Sequence, residues 1–446
     1  MKRNKFLTGA EKAALYLRIS LDCAWRLKSP RTLFRAAGFT KVFFRHKVRR
    51  LPGGRYKLDF YMPAYPSDAF FRAMEDKLLW RPPRPISVVL SITKACVCRC
   101  PHCYQRQDPA EELQLDRLLQ NVRELRDFGI SAWAVEGGEP LLKFERLAAV
   151  LRELAGQEVW VNSNGFSATD EKISIMSELG VTGVMSSIHS PDPETHDAFT
   201  GVPGSHEQAL LFLEKCRRKG MLTGFNTVLG DEAVLSGGIE KIMVLAEERE
   251  VDYVQLIHPK PSGRWLGRNL ESALSSEAVQ RACEAQIRYN SGKEKHSPIL
   301  TAQVFEESPE MLGCCGGGID RFYIGAAGDV QPCEFVNLSF GNLKDVSFRT
   351  AFERMREAFP VPCCEWICRT RAPEIAAAAE KLAEERNHTQ ATCKRGEKTD
   401  ARPPQGTESG RTVLPLPWEK TRDLVAKWKK QSGTPTPLYQ KMGIYR

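Results

Sequence analysis

Residues 86–104 read Ile86-Ser87-Val88-Val89-Leu90-Ser91-Ile92-Thr93-Lys94-Ala95-Cys96-Val97-Cys98-Arg99-Cys100-Pro101-His102-Cys103-Tyr104. An apolar run of strand length ends in a loop that carries Cys96, Cys100 and Cys103 at the spacing CxxxCxxC. A cubane cluster of four irons takes four ligands, so three local thiolates leave one iron able to coordinate something else. A structural zinc site normally closes with four ligands in CxxC-type pairs, which this spacing fits poorly. The chemistry of the chain is expected to start at that open iron.

Outward from this stretch the pattern repeats. Segments 86–92, 131–135, 158–161, 183–188, 224–229 and 253–257 are apolar runs of strand length. Helical segments separate them, and Gly129, Gly156, Gly180 and Gly220 each stand just past a periodic stretch, where a left-handed helix cap is expected. Leu118, Val122 and Leu125 have the spacing of a helix packed on a sheet. Such alternation implies an α/β fold with a parallel sheet, either open and doubly wound or an incomplete barrel. Both place functional groups at the C-terminal ends of the strands, where the cysteine triplet falls.

The segment TKACVCRCPHCY, directly after the first strand of a βα repeat, resembles the cluster-binding loop of radical S-adenosylmethionine (radical SAM) enzymes. The resemblance spans about residues 86–267 and implies a partial (βα)6 barrel. By that likeness Cys96, Cys100 and Cys103 are the catalytic metal ligands of a [4Fe-4S] cluster, and SAM chelates the open iron through its amine and carboxylate. Tyr104 matches the aromatic position near the adenine, while Cys98 stands where the family usually has a larger apolar residue and is read as packing. Gly137-Gly138-Glu139-Pro140 resembles the family's GGEP element, which receives the SAM ammonium. Asn164, in an asparagine-glycine turn, and Ser187 match further SAM contacts, with Asn226 a weaker candidate. His189 stands where the family frequently has aspartate, so it is open between a strand-end histidine and a substrate contact. Arg264 is read as a solvated surface residue, with contact to an anionic group as the alternative.

A second set of cysteines follows: Cys314, Cys315, Cys333, Cys363, Cys364 and Cys368, with Cys333 just after a hairpin expected around 322–328. This region resembles the SPASM and twitch extensions that carry auxiliary clusters. The closer likeness is to one auxiliary [4Fe-4S] cluster held by Cys315, Cys333, Cys364 and Cys368, with the neighbouring Cys314 and Cys363 leaving the register open. Zinc remains the alternative metal, since four-cysteine zinc sites are common.

Composition bounds the rest. At 446 residues and 42% hydrophobic content, the chain can bury the cores of two or three domains. The expected division is a basic helical region 1–85, a core 86–275, a small Cys-rich α+β extension 295–375, and a tail 376–446 that is helical and partly disordered. No apolar run reaches the roughly 18–20 residues that span a bilayer, and the N-terminus has no secretory pattern. A cytoplasmic protein, peripheral at the membrane, is the expectation. Fourteen cysteines in tight clusters then point to metal binding before disulfides.

Charge is concentrated at the start: residues 1–57 hold 16 Lys or Arg against Glu11 and Asp22, whereas the remainder holds 48 against 53. Thr8 and Glu11 have capping-box spacing, and Ala10, Ala13, Ala14, Leu17, Leu21 and Ala24 recur at helical intervals as the stripe of one amphipathic helix. Phe34, Phe39, Phe43 and Phe44 then alternate with Arg35, Lys41 and Arg45. Three readings of this region stand: a helical cap on the core, an anionic membrane surface reached through residues 1–57, and a nucleic-acid backbone, the last not favoured. Trp418, Leu424, Val425 and Trp428 suggest a short amphipathic helix that either folds back on the core or touches a surface.

The resemblance implies an oxidoreductase or bond-forming enzyme. A one-electron reductant such as flavodoxin or ferredoxin drives reductive cleavage of SAM to a 5′-deoxyadenosyl radical, which takes hydrogen from a C–H bond of an unidentified substrate. A lipid-linked, membrane-associated or other small molecule leads, maturation of a peptide follows, and a non-catalytic iron-sulfur electron-transfer protein is the alternative from another class.

Overall fold

The computed structural model describes residues 5–28, 47–59, 62–79, 84–105, 110–267, 275–291, 293–294, 296–308, 313–314, 318–360, 366–394 and 415–428. The expectations placed on Phe34, Phe39, Phe43, Phe44, Cys315, Cys363, Cys364 and residues 395–411 lie outside them.

The N-terminal unit is a three-stranded antiparallel sheet in the order β1 (Phe6–Leu7), β2 (Val48–Arg50), β3 (Tyr56–Lys57), backed by α1 (Gly9–Leu27) and the helix Asp68–Leu78. One sequence expectation is corrected here. Thr8 takes the N-cap of α1, but its side chain makes no capping bond; the Glu11 carboxylate pairs with Arg50 instead. The stripe read from sequence is the outward side of the helix. Leu15, Tyr16, Ile19 and Cys23 turn into a core with Phe70, Met74 and Leu78, while Ala10, Ala13, Ala14, Leu17 and Leu21 are exposed. Both sides of α1 are apolar, and the side carrying Tyr16 and Ile19 removes more area from water than one rich in alanine.

The main sheet contains β4 (Ser87–Ser91), β5 (Ala132–Glu136), β6 (Glu158–Asn162), β7 (Gly183–Ser187), β8 (Leu222–Val228), β9 (Tyr253–Ile257), β10 (Ile299–Ala302), β11 (Arg321–Ile324) and β12 (Val330–Gln331). Its order is β10-β9-β8-β7-β6-β5-β4-β11-β12, unclosed. Neighbours are parallel from β10 to β11, with Val88 opposite Trp133 and Phe322 opposite Val88; β12 returns antiparallel to β11. Every residue of β4 is buried, as expected for a parallel strand covered on both faces. The six expected strands are all present. β10 extends the row at one edge, and the expected hairpin is β11–β12, joined directly to the first core strand, so core and extension share one sheet.

Helices cover this sheet as the stripes predicted. Leu118, Val122 and Leu125 are the buried face of the helix Leu115–Phe128, which Gly129 ends at φ 115°. The helix Trp418–Trp428 folds back on the body: Val425 and Trp428 are buried, and Trp428 Nε1 donates to Glu374 Oε2 at 2.7 Å.

The N-terminal unit caps the end of the sheet where the strands begin. Phe6 packs among Trp160, Leu222, Tyr253 and Ile299. Arg49 Nε donates to Asp252 Oδ1 at 2.8 Å, Lys47 Nζ to the Ser297 carbonyl at 2.7 Å, and the buried Lys57 pairs with Glu158. Four of the 16 Lys and Arg in residues 1–57, namely Lys5, Lys47, Arg49 and Lys57, thus take part in docking.

Candidate active site

At the opposite end, where the strands finish, lies an open pocket of about 1550 Å³ including its mouth. Cys96, Cys100, Cys103, Tyr104, Gly137, Gly138, Asn164, Ser187 and Asn226, nine residues picked out from sequence, all line it. Glu139 and Pro140 do not. Pro140, itself buried, opens a 3₁₀ turn, a position suited to its fixed φ and missing donor.

The cysteine loop is clamped by backbone from several strand ends. Gly138 N donates to Thr93 O at 2.7 Å and Glu139 N to Ala95 O at 2.6 Å. A Cβ on Gly138 would stand 2.4 Å from Ala95 O, so glycine is required there by the approach of the cysteine loop itself. Across the loop Arg99 N donates to Thr200 O at 2.7 Å, and Arg264 N to Cys103 O at 3.3 Å. A Cβ on Gly263 would lie 2.3 Å from Tyr104 Cα. Arg264 is exposed, as read from sequence, and it also helps close the loop, its Nη1 donating to Arg99 O at 3.4 Å.

Cys98 is buried yet lines the same pocket. Asn164 Nδ2 lies 3.4 Å from its sulfur and 3.8 Å from that of Cys96. Hydrogen bonding with Cys98, then burial, raises the Cys96 thiol, so metal binding at this loop would release protons.

Two carboxyls support the pocket. Glu139 accepts from Leu141 N at 2.8 Å, Ser163 Oγ at 2.8 Å and Asn164 N at 2.7 Å. It fastens the GGEP loop to the asparagine-glycine turn, and its carboxylate is engaged within the protein. Glu136, which sequence reading missed, ends β5 in the pocket wall. It accepts from the Tyr104 hydroxyl, from Gln105 Nε2 at 2.8 Å and from Asn162 Nδ2 at 2.9 Å. Burial pushes each carboxyl up to about 7 against those hydrogen bonds. The available signal for Glu136 was its place as the last residue of a strand, directly before Gly137.

The walls hold further polar groups. His189 Nδ1 accepts from Val228 N at 3.2 Å, which leaves the proton on Nε2, a buried atom with no hydrogen-bond partner. Burial holds this ring well below its ordinary pKa and therefore neutral. The Asn162 and Asn226 Oδ1 atoms are likewise buried without partners. On the far wall His258 stacks on Trp366 at 4.7 Å. The buried Lys260 reaches Glu307 Oε2 at 3.4 Å and lies 5.0 Å from the Phe335 ring centre.

Beyond Lys260 lie the described cysteines of the second set. Cys333 and Cys368 are buried and Cys314 is half-buried. Burial raises the Cys333 thiol, and Glu334, Cys314 and Cys368 act on it in the same direction. Cys314 is thus the described member of its pair within electrostatic range of Cys333. Among the described residues, no three His, Cys, Asp or Glu side chains converge on a single ion.

The first site fits a four-iron cluster with SAM. It offers three cysteine thiols on a clamped loop, a cavity beside them, and orphaned buried oxygens on Asn162 and Asn226 facing that cavity.

Residues 90–233 match the radical SAM superfamily model. The chain is similar to the AdoMet-dependent heme synthase of Methanosarcina barkeri, 27% identical over 68% of this chain and 95% of that one. It is also similar to the pre-heme d1 synthase of Dinoroseobacter shibae, 26% identical over 47% of this chain and 50% of that one. Among solved structures it shares its fold with Streptococcus suis SuiB bound to precursor peptide SuiA, at TM-score 0.50 and 14% identity, covering 60% of this chain and 64% of SuiB.

Proposed function

From the premise that the chain is a radical SAM enzyme, we propose that it removes a hydrogen atom from a tetrapyrrole-class small molecule held between the cysteine loop and the Lys260 wall. The electron-transfer alternative falls with the family assignment. The observation that carries the proposal is the convergence, in one cavity, of Cys96, Cys100 and Cys103 with the GGEP loop and the unpartnered oxygens of Asn162 and Asn226. Relatives named for haem synthesis support the substrate class.

Cys96, Cys100 and Cys103 would hold a [4Fe-4S] cluster; Gly137, Gly138, Asn164, Ser187 and Asn226 would hold SAM. Bound there, the pair supplies a 5′-deoxyadenosyl radical that attacks an unactivated C–H bond. Glu136 orients the Tyr104 hydroxyl as donor, and Glu139 keeps the two SAM-side loops in register. The buried Lys260 gives the far wall a fixed cation, and Phe335 gives it an apolar face. Burial of the pocket floor limits quenching by water. Cys333 and Cys368, with Cys315 and Cys364 or their neighbours Cys314 and Cys363, would hold one auxiliary cluster. The partners implied are a flavodoxin or ferredoxin as reductant, the substrate, and an anionic membrane surface reached through residues 1–57.

Anaerobically reconstituted protein with reductant should form 5′-deoxyadenosine from SAM, faster when iron coproporphyrin III is added, with a product lighter in hydrogen. No 5′-deoxyadenosine from fully loaded protein rejects the cofactor assignment, and no response to the porphyrin rejects the substrate class. Metal analysis decides the second site: one cluster's worth of iron together with zinc would reject the auxiliary cluster.

A further inference from the structure

We propose that the outward face of α1, formed by Leu17, Leu21 and Trp25, seats the protein on an anionic bilayer surface as a tether set apart from the catalytic mouth. This deepens the membrane partner named above and is independent of the radical chemistry.

The helix has two apolar sides, and only one is used by the fold. Leu15, Tyr16, Ile19 and Cys23 are buried in the N-terminal core. On the other side Leu17, Leu21 and Trp25 are 62%, 52% and 84% exposed. Their spacing of four puts them in a line along the helix, about 12 Å from first to last at the usual rise. Ala10, Ala13 and Ala14 extend this face toward the helix start without a charge. A face of this kind, with a tryptophan at its end, suits the boundary between headgroups and acyl chains, where an indole buries its ring and keeps its N–H wet.

Charge selects the occupant. Arg18 and Arg26, though paired with Asp22 and Asp68, keep half or more of their side chains exposed, and Lys28 follows at the helix end, exposed. The two acids of residues 1–57 are engaged: Glu11 with Arg50, and Asp22 with Arg18 and the Tyr65 hydroxyl. A second copy of the chain laid face to face would bring these cations against their own likes. Anionic headgroups meet them with opposite charge. No helix among the described residues is long and apolar enough to cross a membrane, so the contact is interfacial.

Position argues for a tether and against a substrate entrance. The unit that carries α1 docks where the strands start, through Asp252, Glu158 and the Phe6 cluster. The cysteine loop lies where they end.

The test uses the full chain in flotation with phosphatidylcholine vesicles, with and without phosphatidylglycerol. Protein should float with the anionic vesicles at low salt and less at high salt. The combined variant Leu17→Ser, Leu21→Ser, Trp25→Ser should partition at least about tenfold less, with an unchanged circular dichroism spectrum and unchanged 5′-deoxyadenosine formation. Wild-type protein that stays with the aqueous phase, or a triple variant that floats equally well, overturns the proposal. So does a concentration-dependent dimer, seen by light scattering and lost in the triple variant, since a second copy would then own the face. Because flotation needs no SAM and no cluster turnover, its failure and that of the enzymatic reading are told apart.

Discussion

The strand-end carboxyls of the parallel sheet are held by opposite rules at its two ends, although the pocket wall also keeps the ion pair Lys260–Glu307. Where the strands start, buried carboxylates meet cations directly: Glu158 takes Lys57, and Asp252 takes Arg49 and Lys5. Where they finish, Glu136 and Glu139 accept only from neutral donors, namely a phenol, amides, a hydroxyl and backbone N–H groups. A closed ion pair fixes geometry and has no room for a ligand. A carboxyl held by neutral donors, beside orphaned amide oxygens, is a wall prepared for something else. One end therefore reads as stability and the other as chemistry, and each reading can be broken by substitution.

The largest effect should come from the mouth. Cys96→Ala removes one of the three thiols proposed as ligands and leaves the neighbouring Cys98 as the nearest other sulfur. Iron content at this site should fall and 5′-deoxyadenosine formation should drop below detection, while the urea midpoint of the apoprotein moves little. Full activity in this variant would mean that Cys98, whose sulfur contacts the same asparagine, can substitute as a ligand.

The start of the sheet should respond in stability. Lys57 is fully buried, and its Nζ bonds both Glu158 and the Met62 carbonyl. Lys57→Met leaves Glu158 buried without its cation and should cost about 3–5 kcal/mol in urea unfolding. Adding Glu158→Gln should recover part of that loss, since the two positions act as a pair. Equal and additive losses would show that the pair is not the unit that docks the N-terminal sheet.

Glu136 gives a smaller effect whose sign is set by linkage. Its folded pKa is about 7 against an ordinary 4.5, so between those values the folded state holds more protons than the unfolded one. Stability should then be highest below 4.5, fall as pH rises toward 7, and level off above it. Glu136→Gln should flatten this fall by roughly 2–3 kcal/mol when unfolding midpoints at the two ends of the window are compared. An unchanged slope would assign the titration to Glu139 alone.

Much of this contrast was legible in the sequence, and the missing parts share a cause. The six core strands matched within a residue or two, because a buried parallel strand is a short apolar run that needs no partner to be seen. The cysteine triplet and GGEP were legible because their spacing is local. The pairing of β11 with β4 was not: Phe322 lies opposite Val88, and no periodicity links segments so far apart. Glu136 was hidden because a carboxylate at a strand end looks like the start of a loop. His258 and Lys260 become wall residues only once Trp366 and Phe335 arrive from the extension. Which side of α1 is buried was hidden for another reason. Its sequence is apolar at both sets of positions, so the 3.6-residue pattern reports a helix without saying which side is inside.

That ambiguity sets the smallest prediction. If the outward stripe of α1 takes no part in folding, Trp25→Ser should shift the unfolding free energy by no more than about 0.5 kcal/mol, as for surface sites without special contacts. Ile19→Ser, nearly two helical turns earlier on the same helix but turned inward, should cost several times more through cavity formation and a buried hydroxyl. Measured side by side in urea, the two substitutions test whether the helix faces as described. Equal losses would mean that Trp25 is covered in solution by another part of the chain, and the stripe would then lose its claim to a partner.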